Sequence, residues 1–211
     1  MVQAMPRVKP AAASRRPLVA LAGTVAAFTL AGALPVSAAQ AAACPETQLV
    51  QPFVKWEDSN YYSLVAGGDF EAGESRWTLF GGASVAPGGA PSPLTGRAGR
   101  SSLRLPPGAV AYSPLTCVEP SDRTFRFLDR SEGSSATVAV SVVYNSFIGP
   151  LAVPLKNVSA GSSWEPSPVR HTGAALISEV FNGVAYLSIR LESIKGTARI
   201  DDVYLDPRLL R

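Results

Sequence analysis

Two stretches decide the fold: Ile200-Asp201-Asp202-Val203-Tyr204-Leu205-Asp206-Pro207 near the end of the chain, and Gly67-Gly68-Asp69-Phe70-Glu71, followed by Trp77. Each mixes carboxylates with core-type residues, and together they bracket one strand-rich region. This arrangement predicts the first and last strands of a single β-sandwich, lying side by side. Alternation along a strand sends neighbouring side chains to opposite faces, so Asp201 shares a face with Val203 and Leu205, and Asp202 with Ile200 and Tyr204. Unless a bulge intervenes, one of the two carboxylates points into the packed side. A buried carboxylate needs a cation, several N–H donors or an arginine.

Between the two stretches, short strand-like runs alternate with turn residues. Residues 77–80, 83–86, 102–105 and 109–112 are runs of this kind, and the Gly/Pro-rich residues 87–99 are a loop. Residues 124–127 alternate, as do 136–144, where Val138, Val140, Val142 and Tyr144 share one face. Residues 151–158 read as the hairpin partner of 136–144, turned at Gly149-Pro150, with Pro154 placing that strand at an edge or bulge. Residues 184–191 set Ala185, Leu187, Ile189 and Leu191 against Tyr186, Ser188 and Arg190. One apolar side per strand marks half-buried antiparallel sheets, and many such runs imply a sandwich or barrel. Helical period is confined to residues 174–181. The expected architecture is an all-β antiparallel sandwich over residues 67–211. It follows an arm, residues 44–66, that Pro45, Pro52 and Asn60 keep from forming a long helix.

Residues 1–43 read as a cleaved signal peptide: Arg7, Lys9, Arg15 and Arg16, an uncharged run from Leu18 to Val36, then small residues up to Ala43. Cleavage is expected between Ala38 and Cys44, which makes the product secreted and extracellular; a retained anchor and a lipidated Cys44 are the alternatives. The whole chain has 19 basic and 16 acidic residues. Removal of the four basic residues of the leader leaves 15 against 16, a net charge of −1. With no Lys/Arg run left, a nucleic-acid partner is not expected, nor a membrane after cleavage, and the product is expected to be a monomer. The 168 residues from Cys44 suit one domain. In an exported chain its two cysteines, Cys44 and Cys117, read as a disulfide, the alternative being unpaired thiols.

The Gly-rich start, Phe70-Glu71, Trp77, Trp164 and the terminal Ile200-Asp201-Asp202-Val203, in that order, resemble the galactose-binding-like jelly-roll domains, many of which are carbohydrate-binding modules. The whole chain is also similar to a group of exported actinobacterial proteins in which such a module stands without an enzyme. The resemblance implies a jelly roll, packed roles for Trp77 and Trp164, and a structural Ca²⁺. Carried over, that ion would sit on Asp69 or Glu71 with Asp202 and the carbonyls of Gly67 or Gly68, completed by main chain or water because calcium takes six to eight oxygens. The alternative is that Asp69 and Glu71 stabilise a turn while Asp201 or Asp202 pairs with Arg199 or a backbone N–H.

Catalysis is not expected. His171 is the only histidine and lies in a polar stretch, and no Gly-x-Ser-x-Gly elbow surrounds a serine. Adjacent Asp201 and Asp202 do not make the pair of acids that glycoside hydrolysis requires. The candidate ligand face is the outward row Tyr186, Ser188 and Arg190, placed beside Arg126, suited to a polyol or anionic glycan; an ordinary solvated sheet face is the alternative. Two functions follow: a non-catalytic module for carbohydrate or cell-wall glycan, or a structural or protein-interaction domain at the cell surface without a small ligand.

Overall fold

The computed structural model describes residues 43–72, 76–146, 148–180 and 183–207. The expected signal peptide lies outside the described residues, apart from Ala43. The strands are β1 (Ser63–Leu64), β2 (Thr78–Phe80), β3 (Ser84–Pro87), β4 (Ser101–Leu105), β5 (Val110–Tyr112), β6 (Thr116–Val118), β7 (Asp122–Ser131), β8 (Ala136–Ser146), β9 (Gly149–Pro154), β10 (Val158–Ala160), β11 (Glu165–Pro166), β12 (Arg170–His171), β13 (Ala185–Lys195) and β14 (Ala198–Pro207). One α-helix, α1 (Ala174–Val180), and one 3₁₀ turn (Val54–Trp56) complete the described elements.

All strand pairings are antiparallel, and they form two sheets. The first runs β11-β7-β14-β4-β3, with β1 also on β14 and β12 on β7; the second runs β10-β8-β13-β5-β2, with β6 on β13 and β9 on β8. The chain passes repeatedly from one sheet to the other, giving a jelly-roll sandwich. The alternation read from the sequence fills the space between the layers. Val138, Val140, Val142 and Tyr144 of β8 and Leu187, Ile189 and Leu191 of β13 are buried against Leu103, Leu105, Phe125, Phe127 and Ile200 of the first sheet. Each such side chain removed from water contributes about 1.5–3 kcal/mol, offset largely by chain entropy.

The two deciding stretches lie side by side, but only the second is a strand: Gly67–Glu71, expected as the first strand, forms turns after β1, with Gly67 and Phe70 at positive φ. Val203 donates its N–H to the Gly68 carbonyl (3.0 Å) and accepts from the Val65 N–H (2.9 Å). Phe70 and Trp77 pack at 5.3 Å between ring centres, both buried in the same core as Val203. Cys44 and Cys117 are bonded, 73 residues apart, tying the arm to β6.

The arm builds a second core. Phe53 and Tyr62 are fully buried and form a second apolar cluster with Leu128, Ala90 and Tyr204 on the outer face of the first sheet. Phe53 meets Tyr62 and Tyr204 edge-on at 5.0 and 5.8 Å. Trp56 and Trp164 pack half-buried against this cluster, so Trp164 is structural as expected but outside the inter-sheet core.

Candidate functional site

The outward face of the second sheet carries one cross-strand row. Thr78 of β2 stands opposite Tyr112 of β5, Tyr112 opposite Arg190 of β13, Arg190 opposite Ser141 of β8, and Ser141 opposite Pro154 of β9. Parity explains the row: Leu79, Ala111, Ile189, Val140 and Val142 point inward, so their neighbours point out. Phe80, two residues along β2 from Thr78, flanks it in the next row. It is 54 % exposed and meets Tyr112 edge-on at 6.0 Å.

At the centre, the Arg190 guanidinium donates to Tyr112 Oη (3.1 Å) and to Glu192 Oε2 (2.7 Å). Burial opposes the charge on Arg190, but Glu192 and Tyr112 outweigh it and hold the guanidinium more firmly protonated than usual. Tyr186 is 48 % exposed and lies four residues back along β13, roughly 13 Å away by strand rise. The structure therefore offers aromatic surface at both ends of a polar centre. Glu192 is the one carboxylate on the outward rows of these strands among the described residues, and it is committed to Arg190.

Of the predicted ligand residues, Tyr186 and Arg190 share this face and Arg126 does not. Arg126 is on β7 of the other sheet, where it donates to Asp58 Oδ2 (2.6 Å) and the Ser167 carbonyl (2.9 Å) and stacks over Phe53. Parity correctly put it on an outward face, but the crossover between sheets decided which one. Phe80, Tyr112 and Glu192 were not singled out from the sequence. The signal for the first two was present, since inward Leu79 and Ala111 leave them facing out.

The acidic corner is a separate feature. Asp202 adopts a left-handed conformation (φ 49°), and the β14–β7 register shifts between Asp201 and Tyr204. This bulge breaks the alternation, so both carboxylates are buried, at 2 % and 8 % exposure. Asp201 Oδ2 accepts from the Ala90 N–H (2.7 Å) and Oδ1 from the Asp202 N–H (2.9 Å). Burial, with the neighbouring Asp202 charge, pushes the Asp201 carboxyl up to about 8. Burial and the charges of Asp69 and Glu71 push Asp202 up to about 7.

Arg199 pairs with neither aspartate; its carboxylate partner is Glu132. Glu71 acts as a latch. Oε1 accepts from the Arg100 and Ser101 N–H groups (2.7 and 3.1 Å), and Oε2 pairs with Arg100 Nε (3.0 Å). Burial raises the Glu71 carboxyl, but these donors bring it below its usual range. Among the described residues no three acidic, histidine or cysteine side chains gather as a metal site, so Asp69, Glu71 and Asp202 are not assembled as one ligand set. His171 is exposed at the end of β12.

No protein-family profile matches the chain, and no curated protein matches it. Solved structures show a loose likeness. The CBM22-2 xylan-binding domain from Paenibacillus barcinonensis is 12 % identical, with 66 % of this chain and 97 % of that one covered and a TM-score of 0.44. TmCBM61 in complex with β-1,4-galactotriose is 20 % identical, covering 67 % and 96 %, with a TM-score of 0.38. A Clostridium thermocellum xylanase, in its CBM22-1–GH10 modules, is 13 % identical with a TM-score of 0.43; 63 % of this chain aligns to 26 % of that chain, so this chain spans about a quarter of its length. At these scores the likeness assigns no ligand, and the jelly-roll description rests on the strand pairing of this chain.

Proposed function

We propose that the protein is an exported, non-catalytic module that binds a neutral carbohydrate chain on the outward face of the second sheet. The carrying observation is the cluster of Phe80, Tyr112, Arg190 and Glu192 on two adjacent cross-strand rows, with Tyr186 farther along β13. Aromatic rings cover the apolar faces of sugar rings, and the Arg190–Glu192 pair presents donors and acceptors to hydroxyls. The pair neutralises itself, which suits an uncharged ligand. The Cys44–Cys117 disulfide supports an oxidising, extracellular setting. The single carboxylate of the face supports binding without hydrolysis.

The test is calorimetry against soluble β-linked glucans, xylans and galactans. Wild type should bind at least one, and Tyr112→Ala and Tyr186→Ala should each weaken binding by about tenfold, equivalent to about 1.4 kcal/mol, with unchanged melting. Unaltered binding by both variants would remove this face. Failure to bind any polysaccharide would favour a structural or protein-interaction role at the cell surface.

For the acidic corner we propose calcium narrowed to Asp202, whose carboxylate lies close enough to Asp69 and Glu71 to feel the charge of both. Calcium at pH 8 should raise the melting temperature of wild type and leave that of Asp202→Asn unmoved. No rise in wild type would exclude the ion from this corner.

A further inference from the structure

On the first sheet, three arginines stand directly opposite one another across adjacent strands: Arg130 of β7 faces Arg199 of β14, which faces Arg104 of β4. Their neighbours Leu103, Leu105, Ala198 and Ile200 are in the inter-sheet core, so the three guanidinium stems leave the outer face. Strands lie about 4.8 Å apart, and like charges directly opposite are unfavourable at that spacing.

One carboxylate serves the row. Both Glu132 oxygens accept from Arg104 Nε (3.0 and 2.9 Å), and Oε1 also accepts from Arg199 Nη1 (3.2 Å). Arg199 is otherwise spent on the carbonyls of Ala86, Pro87 and Gly88 and on Ser102 Oγ. Arg130 receives none of this. Its Nε is buried without an acceptor, and it has no ion pair among the described residues. Its one close companion is Trp164, whose ring centre lies 5.2 Å from the guanidinium carbon, with both residues partly open to solvent. Glu165, next to Trp164 in the chain, already accepts from Trp56 Nε1 (3.1 Å).

We propose that Arg130 and Trp164 form a second ligand site, for a sugar unit bearing an anionic group. The Nη edge of the guanidinium takes the carboxylate or phosphate, and the solvent-facing edge of the indole, its ring face lying under the guanidinium, borders the sugar. The anion supplies the counter-charge that Arg130 lacks among the described residues and offsets the surplus charge of the row. The site is on the opposite sheet from the neutral-sugar face and does not depend on it.

The test is calorimetry with trigalacturonate, mannose 6-phosphate, a neutral trisaccharide and inorganic phosphate, at about 20 and 200 mM salt. Trigalacturonate, mannose 6-phosphate or both should bind at least about tenfold more tightly than the neutral sugar or inorganic phosphate, and less tightly at high salt. Comparison of the two acidic probes identifies which anion is preferred. Arg130→Gln should lose about tenfold or more without a fall in melting temperature, since it relieves the like-charge row, whereas Tyr112→Ala should bind the acidic sugar normally. The proposal is overturned if neither acidic sugar binds, if inorganic phosphate binds as tightly as they do, or if Arg130→Gln matches wild type.

Discussion

A methyl group at Gly68 would sit 2.9 Å from two main-chain oxygens, those of Val203 and Val65. Neither can retreat, because they belong to the contact that closes the sandwich. Gly68→Ala should therefore cost about 2–3 kcal/mol, seen as a lower urea midpoint with an unchanged slope. Glu71 gives a sharper comparison. Arg100 has a side chain that is 81 % exposed, so its ion pair is worth little, and Arg100→Ala should cost less than about 0.5 kcal/mol. Glu71→Ala strips the acceptor from two backbone N–H groups and should cost about 1–2 kcal/mol. Equal losses in the two variants would show that the ion pair, and not the backbone latch, carries the stability. The sequence put these carboxylates at the closing corner and left a calcium set and a turn with paired aspartates as alternatives. It did not show how each is satisfied, because Glu71 finds its donors 29 and 30 residues away and the Asp202 bulge cancels the parity on which the inward-facing argument relied.

At the scale of elements, the strands were legible because alternation is a local property, and β8 and β13 are longer versions of the runs read from the sequence. The arm was not. Phe53 and Tyr62 follow no alternation in the sequence, and nothing local reveals that Leu128 and Tyr204 leave an apolar patch on the outer face for them to fill. Arg126 was lost to a different non-local cause, the crossover that puts β7 in the first sheet, where the arm then brings Asp58 to it. Phe53→Ala should cost about 3–5 kcal/mol, in the range of buried aromatic truncations. Reduction of the Cys44–Cys117 bond removes up to about 4 kcal/mol by the chain-entropy estimate. If Phe53 anchors the arm independently, reduced wild type should still protect the Val50 and Tyr62 amides, which bond to each other's carbonyls, from hydrogen exchange. Reduced Phe53→Ala should lose that protection. Protection lost on reduction alone would mean that the disulfide, not the aromatic cluster, holds the arm.

Across the whole molecule, buried acids couple stability to pH in an uncommon direction. Asp129 is 4 % exposed; burial pushes its carboxyl up to about 7, against the pull of Arg170 and with the help of Glu165. Burial likewise raises Asp122 to about 6. In the unfolded chain an aspartate titrates near 3.9. Between about pH 4 and 7 the folded Asp129 keeps a proton that the unfolded chain has released, so the stability it contributes is full below about pH 4 and is lost as pH rises toward 7. Asp201 and Asp202 act in the same sense. Asp58, Glu71 and Glu132 work oppositely, being held below their usual values despite burial, but their window lies at more acid pH and is complete by about pH 5. Urea midpoints should therefore fall from pH 5 to pH 8 in calcium-free buffer. Asp129→Asn has no proton to lose: it should flatten the decline and exceed wild type at pH 8 while staying close to it at pH 5. A midpoint that rises with pH, or an Asn variant weaker than wild type at pH 8, would mean that Asp129 is ionised in the fold and held there by Arg170.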